Sequence, residues 1–110
     1  MTPAQDLLSL TQPVLVRCST WTGRSWRHRV AAGNGGAASR ADVTFAAIVT
    51  LADLAAEIES RPRRDVPRLD DSALLDQLAV MVHDIAGTEN GEACQQASAI
   101  VGSLADLLWT

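Results

Sequence analysis

The chain has no lysine and no tyrosine, and its only phenylalanine is Phe45. Every fixed positive side chain is therefore one of nine arginines, a bias that suggests a GC-rich bacterial genome and says little about function. Cysteine is scarce: Cys18 and Cys94 are far apart and fit no framework spacing. They read as reduced thiols in a cytoplasmic protein. The two histidines and two cysteines form no C-x2-C or H-x3-H pair, so no zinc site is expected. Uninterrupted apolar runs are only a few residues long, too short to span a membrane. The opening "MTPAQDLL" lacks the basic stretch and long apolar run of a secretory signal.

What is present is the composition of a folded domain. Of 110 residues, 47% are hydrophobic and 20% charged, enough to build one core without disulfide staples. The net charge of −4 is unevenly spread. Residues 1–41 carry five arginines against Asp6 alone, and 42–60 carry four acids and no base. Residues 61–69 carry four arginines against Asp65, and 70–110 carry seven acids and no base. Connectors are basic and helices acidic.

Periodicity and punctuation predict a mainly α fold. It is a small bundle of three principal helices plus a short N-terminal helix and a two-stranded β-hairpin, together one domain. Thr2-Pro3-Ala4-Gln5 has the form of a capping box and opens a helix over 3–11, which Pro13 is expected to stop. Ser39-Arg40-Ala41-Asp42 opens a helix over 40–60, with Val43, Ala47, Ile48, Leu51, Leu54, Ala55 and Ile58 at helical spacing. "RPRRDVPRL" cannot be helical at its X-Pro steps and reads as an extended basic link over 61–70. Asp70, Asp71 or Ser72 caps a helix over 71–86 that ends at Gly87. Thr88 or Asn90 opens the last, over 89–109, and the short join makes these two an antiparallel hairpin.

The segment 13–32 is harder. Its β-branched and aromatic residues and the Thr22-Gly23 breaker favour two strands and a tight turn. In that register Val16, Cys18, Thr20, Trp26, His28 and Val30 share one face, while Arg17, Trp21, Arg27 and Arg29 lie on the other. A short helix from Arg24 to Ala32, ended by Gly33, is the rival. A Gly-rich connector over 33–39 follows. Its Gly33-x-Gly35-x-x-Ala38 loosely matches a dinucleotide loop, but the next element after the helix is a broken link instead of a strand. No cofactor is expected.

Two surfaces are candidates for function. Helix 40–60 starts apolar on nearly every side, with Phe45, Ile48 and Ala52 forming a second face, and Trp109 adds apolar surface near the end of the chain. These exceed what one packing face needs, so the leading expectation is a small non-enzymatic interaction or regulatory protein. It would self-associate, or bind a helical partner, through those four residues. The alternative is a nucleic-acid-binding regulator, with Arg24, Arg27 and Arg29 on phosphates and Trp21 as a stacking platform. Against it stand the overall acidic charge and the expected position of the 61–68 arginines at the far end of helix 40–60. No nucleophile, base and orienting group can be assembled into a catalytic set.

Overall fold

The computed structural model describes residues 1–32 and 35–109. Gly33 and Asn34, part of the expected connector, lie outside the described residues, as does Thr110. The order of elements is helix α1 (Pro3–Cys18), helix α2 (Gly23–Arg27), strand β1 (Arg29–Ala31), strand β2 (Ala37–Ser39), helix α3 (Arg40–Ile58), a 3-10 turn (Asp71–Ala73), helix α4 (Leu74–Gly87) and helix α5 (Gly91–Leu108). This is the mainly α bundle with a two-stranded antiparallel sheet that the sequence predicts.

The N-terminal helix is longer than expected. Thr2 caps it in a reciprocal box with Gln5, but Pro13 lies inside the helix instead of ending it. The proline gives up one backbone donor on an exposed face. Meanwhile Leu7, Thr11, Val14 and Cys18, spaced for one helical stripe, are all buried. Burying that stripe against α4 and α5 outweighs the local penalty.

The hairpin exists, but not where the sequence places it. Residues 13–18 are helical, and Gly23–Arg27 forms a single helical turn and a little more, which overlaps the rival helix only over 24–27 because Arg29–Ala31 is a strand. The strands are instead Arg29–Ala31 and Ala37–Ser39, with Val30 opposite Ala38. The expected connector thus supplies the second strand and part of the turn, where Gly35 takes φ +83°, a conformation open to glycine. Only half of the expected inward face is buried: Cys18, Trp26 and Val30 are, whereas Val16, Thr20 and His28 are exposed. Trp21 does not face outward; it is half-buried.

Ser39 caps α3, accepting from the Asp42 amide. Around it, α1 and α3 each pack across both members of the α4/α5 hairpin. Leu7, Ile48, Leu51, Leu74, Leu78, Ile85 and Leu108 are fully buried between them, each worth about 1.5–3 kcal/mol relative to exposure. None of the expected acidic or hydroxyl caps bonds at the start of α4, which is entered through the 3-10 turn. At the α4/α5 join Asn90 is the cap of α5, accepting from Ala93 at 3.0 Å. The left-handed residue there is Glu89 (φ 55°) rather than a glycine.

The basic link also departs from expectation. It doubles back along α3: Arg63 pairs with Asp53 at 3.8 Å, and the Arg68 guanidinium lies 5.2 Å from the Phe45 ring centroid. The 61–68 arginines therefore run along the helix and are not gathered at its far end.

Candidate functional site

The four residues expected to form an apolar interface are occupied within the chain. Ile48 is 0% exposed and sits in the centre of the core, so the folded chain offers none of its surface to a partner. Phe45 is half-buried, packed on the core and covered by Arg68 of the link. Ala52 lines a cleft of about 220 Å³ against Val66, Pro67 and Met81, again under the link. Trp109 is half-buried against Trp21, ring centroids 6.1 Å apart and nearly perpendicular. The second apolar face of α3 is sheltered by residues 61–70. The spacing within one helix does not reveal this, because the cover is an irregular segment that contributes Val66, Pro67 and arginine stems without any helical period.

The residues of the alternative surface are brought together differently. All three tryptophans form one cluster at the end of the bundle where α1 and α5 finish and α3 begins. Trp26 is buried, and Trp21 meets it edge-on with centroids 4.9 Å apart. Two arginines lie on the cluster: the Arg40 guanidinium carbon is 4.4 Å from the Trp21 centroid, and that of Arg17 is 3.9 Å from the Trp109 centroid. Each distance is within cation–π range. Arg24, Arg27 and Arg29 surround this end and are exposed. Arg29 Nη2 donates to the Ala37 carbonyl at 2.9 Å, bracing the hairpin. Trp21 is thus a packed residue carrying an arginine on its face, not an open stacking platform. Arg17 and Arg40 were both legible as charges, but nothing in their spacing tied them to tryptophans distant in the chain.

Charge compensation separates the two arginine groups. In the link, Arg61 pairs with Glu59 at 2.6 Å, Arg63 with Asp53, and Arg68 with Asp71 at 3.0 Å. At the tryptophan end, Arg17, Arg24, Arg27, Arg29 and Arg40 have no carboxylate within 4.0 Å among the described residues. Arg40 is also poorly satisfied: Nη1 reaches the Ser25 carbonyl at a long 3.4 Å, and its buried Nε has no partner.

Beneath this end lies the Cys18 thiol, 1% exposed. Burial pushes its pKa up to about 11, with the Arg40 and Arg17 charges pulling the other way. Burial raises Cys94 as well; its thiol faces the Ile85 carbonyl at 3.6 Å. Both sulfurs are held protonated, the wrong state for a nucleophile. Among the described residues, no group of three or more His, Cys, Asp or Glu side chains could hold a metal ion. No helix among them is long and apolar enough to cross a membrane.

No protein-family model, curated protein or solved structure matches the chain.

Proposed function

We propose that the protein is a small, non-enzymatic interaction protein that docks an acidic segment of another protein on its arginine-bearing end, through Arg24, Arg27 and Arg29. The observation that carries this reading is the uneven compensation of charge. Three of the four link arginines are paired within the chain, while the five around the tryptophans face no carboxylate among the described residues. Exposed arginines concentrated on one end of an acidic molecule create a local positive field that steers an anionic partner.

A protein partner is favoured over nucleic acid on two counts. The Trp21 face carries Arg40 and its ring abuts Trp26 and Trp109, leaving little of it for a base. The net charge of −4 opposes a long polyphosphate more than a short acidic peptide. Self-association through Phe45, Ile48, Ala52 and Trp109 draws no support from their positions. A cytoplasmic setting fits two free, buried thiols.

The test is fluorescence anisotropy with labelled hexaglutamate and, separately, a DNA oligonucleotide of matched charge. Hexaglutamate is expected to bind in a salt-sensitive manner, more tightly than the DNA, and the Arg24→Gln/Arg27→Gln/Arg29→Gln variant is expected to lose that binding. Tighter binding of DNA, lost in the same variant, would establish the nucleic-acid reading instead. Binding of neither would remove the proposal.

A further inference from the structure

We propose that Arg17 and Arg40, seated on the tryptophan cluster, together form a site for a single oxyanion group, carboxylate or phosphate. This rests on the reading above only in taking the partner to be anionic. Three observations converge. The two guanidiniums lie on adjoining rings of one cluster, Arg17 on Trp109 and Arg40 on Trp21. Contact with a ring face restrains each guanidinium and lowers the entropy lost on binding a planar or tetrahedral oxyanion. Both charges also act on the buried Cys18 thiol, favouring its ionised form.

The second observation is the missing counter-charge. Asp42 and Asp106, the acids closest in sequence to Arg40 and Trp109, are exposed and pair with neither arginine. A partly buried guanidinium without a carboxylate is costly, and the field of a second arginine adds to the cost. The third is hydrogen-bond supply. Arg40 makes one long bond to Ser25 and has an unpartnered Nε, and Arg17 has its guanidinium on a ring face. Arg40 Nη2 and the Arg17 guanidinium donate to no acceptor among the described residues. An oxyanion there would neutralise charge where the described residues supply no carboxylate.

The chain carries its own reporter, because all three tryptophans belong to the cluster and there is no tyrosine. Intrinsic fluorescence is titrated with inorganic phosphate, and separately with acetate, at ionic strength held constant with sodium chloride. A saturable change in emission is expected with at least one of the two; which one decides between a phosphorylated and a carboxylate group on the partner. Arg17→Gln and Arg40→Gln should each weaken that affinity about tenfold or more, the usual worth of one charge-assisted hydrogen bond. Arg64→Gln, an exposed position on the link, should leave it unchanged. Because Arg40 is partly buried, Arg40→Lys serves as a second variant that keeps the charge and loses the planar fork, and it too should bind weakly.

Absence of a saturable change with either anion would overturn the inference, as would unchanged affinity in Arg17→Gln. If phosphate and acetate have no effect while hexaglutamate still binds through Arg24, Arg27 and Arg29, this site is wrong and the proposed function stands. If the fluorescence titration saturates but hexaglutamate does not bind, the site stands and the docking surface falls.

Discussion

The Arg40 guanidinium lies over the Trp21 ring, and Trp21 in turn stands edge-on against the buried Trp26. This stack joins the first turn of α3 to α2, two elements otherwise linked by a short hairpin. Its energetics should follow burial. Trp26→Ala is expected to cost about 3–5 kcal/mol. Trp21→Ala, half in water already, should cost less, about 1–3 kcal/mol including the cation–π contact. Urea denaturation of the two variants checks the order, and a larger loss at Trp21 would contradict it.

Alkaline stability has an unusually clean interpretation here. With neither lysine nor tyrosine in the chain, the thiols are the side chains that titrate between pH 9 and 11. Cys18 holds its proton to about pH 11 when folded against an ordinary value of 9.0. Unfolding in that window therefore releases a proton, and stability falls as pH rises, by at most about 3 kcal/mol from Cys18. Below pH 9 that contribution is fully present. Cys18→Ala should flatten the fall between pH 9 and 11, with Cys94 contributing in the same direction. A stability curve that is level through this range, or rises, would contradict the burial of both thiols.

Pro13 sits inside α1, where the Ser9 carbonyl loses its helical donor. Pro13→Ala restores that donor on an exposed face without disturbing the stripe. Stability is expected to increase by about 1–3 kcal/mol, read as a higher midpoint in thermal unfolding. A decrease would mean that the proline shapes the helix for packing.

Ile48 distinguishes a core position from an interface position. Ile48→Ala should cost about 2–5 kcal/mol, and the loss should be the same at every protein concentration. A midpoint that shifts with concentration in the wild type and not in the variant would place Ile48 at a subunit contact.

The helical stripes were legible because 3.6-residue spacing reflects burial directly: Ile48, Leu51 and Ala55 in α3, and Leu78, Val82 and Ile85 in α4, are all buried. Caps with local hydrogen bonds were equally readable, as Thr2, Ser39 and Asn90 show. The errors came where distant contacts decide. Pro13 is tolerated because α4 and α5 cover the opposite face. The Arg-Trp segment forms a short helix and one strand, yet an all-strand register would also turn Trp26 and Val30 to one face, so alternation alone could not separate the two. The surplus of apolar surface around Phe45 and Ala52 vanished once the 61–70 link folded onto it. The Arg–Trp cluster was invisible because it unites residues from α1, α2, α3 and the end of α5.

Modification by phenylglyoxal, read by mass spectrometry, locates the partner surface most directly, since all nine arginines can be followed and no lysine competes. With hexaglutamate bound, Arg24, Arg27 and Arg29 should be protected while Arg63 and Arg64 react as before. Protection confined to the 61–68 link, or no protection anywhere, would contradict the assignment of the arginine-bearing end as the docking surface.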